Sequence, residues 1–177
     1  MIVDSMSRDR AALQRAVLGL SRNQTSYRPT EGVWSIDDIL HHLALTDEAT
    51  AKLMAHFERI AEETNVPEDP SPQVSALGSI DSITPEADQG TATAPERVTP
   101  RSSVSAEDAF SRLWSSREKM LARVETLAPL DARRLTYTHP FFGELDSLQW
   151  LLITGWHERR HTRQIERLKT SEGFPPN

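Results

Sequence analysis

Apolar residues recur every three to four positions in four stretches of the chain and show no convincing alternation, a pattern that predicts helices and no strands. The first stretch, from about Ser5 to Arg22, sets Met6, Leu13, Val17 and Leu20 among charged neighbours. Asn23 to Gly32 then supplies turn residues, including Pro29 and Gly32. The second helix is announced by Ser35, three residues before Asp38, the spacing of a capping box with a carboxylate in the positive first turn. It runs to about Glu63, and at ~100° per residue Ile36, Ile39, Leu40, Leu43, Met54 and Phe57 form one stripe. His42 lies on the edge of that stripe, whereas His41 is expected to point toward solvent.

A third helix starts after Ser105, again with an acidic residue three positions on at Asp108. It carries Ala109, Leu113, Met120, Leu121, Val124 and Leu127, and ends near Pro129. The fourth starts near Asp146 or Ser147, with Gln149 placed as a capping partner, and continues to about Thr170. Trp150, Ile153, His157, His161, Gln164, Ile165 and Leu168 gather on one face of it, roughly 120° wide, with Arg159, Thr162, Arg163 and Glu166 on the other side. Leu148 and Leu152 fall off that face, which suits either an interface or packing against the first helix.

Two segments lack helical spacing. The stretch of about 64–104 holds most of the chain's prolines and is rich in Ser, Thr, Asp and Glu. A loop of that length is either a connection between helices or a cover over a site. The stretch from Leu130 to Leu145 contains Pro140 and Gly143 and is expected to be a loop whose aromatics close one end of the molecule. The expected fold is therefore all-α, a four-helix bundle with a long crossover loop between the second and third helices. At 177 residues it is most simply a single domain over residues 1–177.

Composition removes several function classes. Twenty basic against 26 acidic residues give a net charge of −6, and no basic run is present, so a nucleic-acid surface is not expected. No apolar run reaches the ~18 residues of a membrane span, and the N-terminus lacks the apolar core of a secretory signal. A cytoplasmic location is the default. With no cysteine in the chain, disulfides, thiolate–metal sites and a thiol nucleophile within the chain are excluded.

The chemistry concentrates in His157-Glu158-Arg159-Arg160-His161. Histidines at i and i+4 in a helix project from one face, one turn apart. On an apolar face each must find a polar partner or cost several kcal/mol unpaired. His42, His157 and His161 would together supply three neutral nitrogens, the donor set of an open zinc site, although imidazole also suits nickel, iron and copper. Packed, hydrogen-bonded core histidines are the alternative. His56 is expected at the surface, and His139, just before Pro140, either lines the mouth of a site or serves a turn. The letters H-E-R-R-H match the H-E-x-x-H of metalloproteases, but the chain has no strand subdomain and offers its third histidine upstream.

Several motifs together resemble the DinB-like superfamily, which includes the YfiT-type metal-dependent hydrolases. They are Trp34-Ser35-Ile36 with Ile39 to Leu43, Ala94 to Pro100, Arg117, His139 to Leu145, and His157 to Ile165. The resemblance spans about Arg10 to Leu168. It implies a four-helix bundle, often a homodimer, that binds one divalent metal ion, zinc or nickel, through the positions of His42, His157 and His161. It further implies an enzyme acting on a small-molecule substrate, in some relatives with an exogenous low-molecular-weight thiol. The chain departs from the family chiefly in its long acidic middle loop. Three functions remain open from sequence: an enzyme that activates water or a thiol, a hydrolase or thiol S-transferase respectively; a non-catalytic metal-stabilised or stress-associated binding protein; or a metal-free bundle. For the first, His139 and Arg160 are candidate substrate-binding residues.

Overall fold

The computed structural model describes residues 2–69, 93–101 and 104–176. Four long helices account for most of them: α1 (Ile2–Val17), α2 (Ile36–Thr64), α3 (Ala106–Leu127) and α4 (Ser147–Lys169). The four-helix bundle expected from the sequence is what forms. α1 is shorter than its apolar spacing suggests, because the chain turns at Gly19, φ +78°, and restarts as a one-turn helix at Arg22–Thr25. α2 and α4 begin in full capping boxes. Ser35 accepts the Asp38 N–H at 3.2 Å while the Asp38 carboxylate accepts the Ser35 N–H at 2.8 Å. Asp146 and Gln149 exchange the same pair of bonds at α4. These caps fix where each helix starts, and hence its rotational phase.

The apolar core divides into two clusters. One contains Met6, Met54, Phe57, Met120, Leu127, Leu151 and Ile153. The other contains Leu13, Ile36, Ile39, Leu40, Leu43, Leu113, Ile165 and Leu168. α1 and α4 enter the first cluster with their N-terminal halves, whereas α2 and α3 enter it with their C-terminal halves. The bundle therefore runs up-down-down-up, with α2 and α3 parallel. Arg112–Glu48 at 2.7 Å and Arg123–Glu58 at 3.2 Å pair the two helices in the same direction. Parallel neighbours explain the length of the segment between them, since the end of α2 and the start of α3 lie about a helix length apart, 29 residues or about 43 Å at 1.5 Å per residue. Most of the expected loop, 70–92 with 102–103, lies outside the described residues.

The stretch from Leu130 to Leu145 is not the irregular loop expected. Thr136–His139 (β1) and Gly143–Asp146 (β2) pair antiparallel, from Thr136 opposite Asp146 to His139 opposite Gly143. Gly143 takes φ +73° at the exit of the three-residue connection, where a hairpin calls for a left-handed residue. Leu135 and Leu145 anchor the hairpin in the core, and Trp150 Nε1 donates to the Tyr137 carbonyl at 3.1 Å. Because Asp146 ends β2 and caps α4, the hairpin sets the direction in which α4 leaves. Leu148 and Leu152 are partly buried and packed against the first cluster. Among the described residues no helix is long and apolar enough to cross a membrane.

Candidate metal centre

Between the two apolar clusters lies a polar layer, and each long helix contributes to it. Arg10 of α1, Asp47 of α2, Arg117 of α3 and Glu158 of α4 are all buried, at 6% exposure or less. Arg10 Nη2 donates to Asp47 Oδ2 at 2.9 Å and its Nε to Glu158 Oε1, while Arg117 Nη2 donates to Glu158 Oε2 at 2.7 Å. Burial raises the Asp47 carboxyl to about 6, with Arg117 pulling it down and Glu158 pushing it up. Two cations and two carboxylates make the layer neutral. Glu158 is thus a structural anion between two guanidiniums, with both its oxygens committed there, which separates it from the general base of the H-E-x-x-H proteases.

Beside this layer the three histidines converge. His42 reaches in from α2, and His157 and His161 from successive turns of α4. His42 Nε2 lies 3.1 Å from His157 Nε2, and His161 Nε2 lies 3.0 Å from the same atom. All three donor nitrogens fall within 4.8 Å of one another. The rings stand nearly perpendicular, at 72°, 69° and 89° to one another, so they meet through their edges.

The remote nitrogens decide what those edges carry. His42 Nδ1 lies 2.7 Å from the Val98 carbonyl, which can only accept, so the proton sits on Nδ1 and Nε2 is a bare lone pair. His161 Nδ1 is placed likewise against Gln164 Oε1 at 2.8 Å. Burial lowers the pKa of all three rings, with His161 at about 3 and His157 well below its ordinary value; the neighbouring histidines press the latter two further down. The rings are neutral at pH 7. A single proton on His157 can satisfy only one of the two lone pairs facing it, whereas one cation satisfies all three nitrogens. The donor chemistry fits a divalent metal, and the Val98 and Gln164 contacts are of the kind that orient imidazoles toward a metal.

His41 corrects the expectation from helical phase. It is 3% exposed, not solvated, and its Nδ1 accepts the Arg101 backbone N–H at 3.0 Å. The two adjacent histidines therefore hold one segment, residues 94–101, His42 at Val98 and His41 at Arg101. That segment includes the 3-10 turn Glu96–Val98 and lies across the N-terminal half of α2. His56, expected at the surface, is half-buried and bonded to Arg59.

A cavity of about 920 Å³ opens beside the histidines. Trp34 packs at a tilt, 4.8 Å from the His42 ring, and closes one side. His139 and Arg160, the substrate-binding candidates from sequence, both line it. His139 packs 4.7 Å from Phe142 and 4.9 Å from Trp150, and burial with the charge of Arg97 lowers its pKa to about 4. Its Nδ1 accepts the Phe141 N–H at 3.2 Å, which leaves its proton on Nε2. Sequence reasoning missed Asp47, Arg10 and the role of Glu158. A signal existed: Arg10 stands four residues after Met6 and three before Leu13, and so shares their buried face.

Known proteins place the fold in context. A chain of 21% identity described as the crystal structure of TT2238, a four-helix bundle protein, superposes with a TM-score of 0.62 over 94% of this chain and 96% of that one. Uncharacterized protein YuaE of Bacillus subtilis (strain 168) is 26% identical over 152 residues, 85% of this chain and 86% of that protein. The sequence model of the DinB superfamily matches residues 5–165, both histidine motifs included. The chain belongs to the DinB superfamily.

Proposed function

We propose that His42, His157 and His161 hold one divalent metal ion, zinc or nickel, and that the protein is an enzyme acting on a small molecule in the adjoining cavity. One observation carries this reading: three Nε2 atoms converge while the Nδ1 protons of His42 and His161 are tied off outward. A structural site would be closed by a fourth protein ligand, whereas the three ligands found among the described residues, beside a cavity, leave a position open. That contrast favours catalysis over a metal held for stability alone. When bound, the ion would lower the pKa of a coordinated water or low-molecular-weight thiol and orient it, giving a hydrolase or a thiol S-transferase.

The chain's own groups supply the rest. Trp34 and the Val98 segment exclude solvent from the far sides of His42 and His161. His139, with its proton on Nε2, acts as a hydrogen-bond donor toward substrate and not as a base. Arg160 supplies positive charge at the histidines. The same reading takes residues 1–177 as one domain and the molecule as a cytoplasmic homodimer, which light scattering tests for the assembly.

Metal analysis of protein purified without chelators should find one zinc or nickel per chain, and His157→Ala should remove it. Absence of stoichiometric metal from the unaltered protein refutes the reading. Metal-dependent turnover in a panel of electrophiles, with water or added thiols as nucleophile, then separates the two reactions; turnover indifferent to His42→Ala counts against both.

A further inference from the structure

The β1–β2 hairpin concentrates rings at the histidine cavity. Tyr137, His139, Phe141 and Phe142 all belong to it, and all four line the cavity. Three aromatic side chains are strongly exposed among the described residues, Trp114, Tyr137 and Phe141, and two of the three are on this wall, at 48% and 52% exposure. Apolar rings left open beside a cavity mark a surface that a ligand can cover. The less exposed rings continue the wall: Phe142 meets Trp156 edge to face at 5.8 Å, and Trp150 lies 4.9 Å from His139. An aromatic guest gains offset or edge-on contacts with such rings beyond the area it buries, which an aliphatic guest does not.

The charged residues of the lining are committed elsewhere. Asp47 is matched by Arg10 and Arg117, Lys52 is near enough to Glu48 to lower its pKa, and Arg160 is engaged as well. Arg97 is exposed to solvent.

Polar selectivity falls to His139. Its Nδ1 accepts the Phe141 N–H, so the ring is neutral and its one proton sits on Nε2. Among the described residues Nε2 has no hydrogen-bond partner. His139 is also near enough to His157 to depress its pKa, which sets this donor close to the histidine centre. A neutral N–H donor in an aromatic chamber calls for a group that accepts and brings no proton of its own to be left unpaired, and a carbonyl oxygen is the simplest such group.

We propose that the cavity takes small aromatic carbonyl compounds, with the hairpin rings holding the aromatic body and His139 Nε2–H reading the carbonyl oxygen. This rests on the reading of the cavity as the substrate site and names the class of substrate it takes.

Phenylnaphthylamine, a neutral aromatic dye, reports on the cavity by fluorescence titration of the full chain, chelator-treated and metal-loaded in parallel, and should find one site. Phe141→Ser, at an exposed position, should weaken it about threefold, as loss of one ring contact would. Trp114→Ser, the exposed ring away from the cavity, should leave it unchanged. Acetylnaphthalene and ethylnaphthalene share one shape and differ in the carbonyl; the ketone should displace the dye roughly three- to tenfold better, the worth of one neutral hydrogen bond. Decanone, a ketone without a ring, should compete more weakly than acetylnaphthalene. His139→Phe keeps a ring and removes the donor, and water can replace the lost acceptor of the exposed Phe141 N–H. It should erase the preference for the ketone while dye affinity changes by less than about twofold.

No dye binding, equal weakening by Phe141→Ser and Trp114→Ser, a ketone preference below about twofold, one that persists in His139→Phe, or decanone competing as well as acetylnaphthalene overturns the proposal. Failure of the metal reading is a separate result. It shows as missing metal in the unaltered protein and leaves the dye and ketone preferences in place.

Discussion

Replacing Glu158 by glutamine tests the polar layer directly. Glu158 is 1% exposed, and its two oxygens are shared between Arg10 and Arg117. The substitution keeps the volume, so no cavity contributes, but it turns a neutral group of four charges into one of net +1 in the middle of the bundle. Removing one partner from a buried ion pair costs about 3–5 kcal/mol. Two effects bring the expectation to the lower end. The glutamine amide oxygen still accepts from one guanidinium, and loss of Glu158 removes a charge that pushes the Asp47 carboxyl up, making Asp47 a firmer counter-ion. A loss of about 3 kcal/mol is a large share of the 5–15 kcal/mol typical of a folded chain. At about 2–4 °C per kcal/mol it lowers Tm by roughly 6–12 °C. Urea unfolding followed by tryptophan fluorescence measures it. Glu63→Gln, which breaks the exposed Arg59–Glu63 pair, is the control and should cost less than about 0.5 kcal/mol. Metal content should be unchanged in folded Glu158→Gln protein. A loss under about 1 kcal/mol would show that the layer is not held by these charges.

His42→Ala should abolish metal binding, whereas His41→Ala should retain it and cost about 1–3 kcal/mol, because the Arg101 N–H loses its buried acceptor; metal content with thermal unfolding reads both. Adding zinc or nickel at a hundred times its Kd should raise unaltered-protein stability by about 2.7 kcal/mol and leave His157→Ala unmoved, as thermal shift would show. Chelator-treated protein should lose stability as pH falls. His42, His139, His157 and His161 have folded pKa values below 6.5, so the unfolded chain binds more protons from about pH 6.5 downward. The slope is at most about 1.4 kcal/mol per pH unit for each ring. For His161 the loss ends near pH 3. Asp47, raised to about 6, works in the opposite sense with a single proton; a Tm that does not fall between pH 7 and 5 would contradict the burial of the rings.

Local signals in the sequence reached as far as single helices reach. Ser35–Asp38 and Asp146–Gln149 located two helix starts, and helical phase selected His42 with the His157–His161 pair. What stayed hidden depends on contacts between distant segments. His41 faces away from the apolar stripe of α2, but the surface it meets is covered by residues from Arg101, sixty positions on. The hairpin left no alternation to read, since in Thr136–His139 three residues are exposed and none is fully buried. Arg10, Arg117 and Glu158 each sit at a buried helical phase, yet phase alone does not reveal that the three meet at Asp47. The DinB-like motifs reached further because they carry the segment Ala94–Pro100, whose Val98 orients His42.

The four-charge layer also bears on how fast the molecule opens. Each long helix supplies one member, so the group is complete only after all four have docked. Its energy is therefore absent from a folding transition state in which any helix is still free. Interactions of that kind act on the unfolding rate and hardly on the folding rate. Glu158→Gln should refold at nearly the unaltered rate and unfold roughly a hundredfold faster, the kinetic equivalent of about 3 kcal/mol. A bundle whose core is cut in two by polar groups is in this way latched, and the lifetime of its closed state is set where its four helices cross.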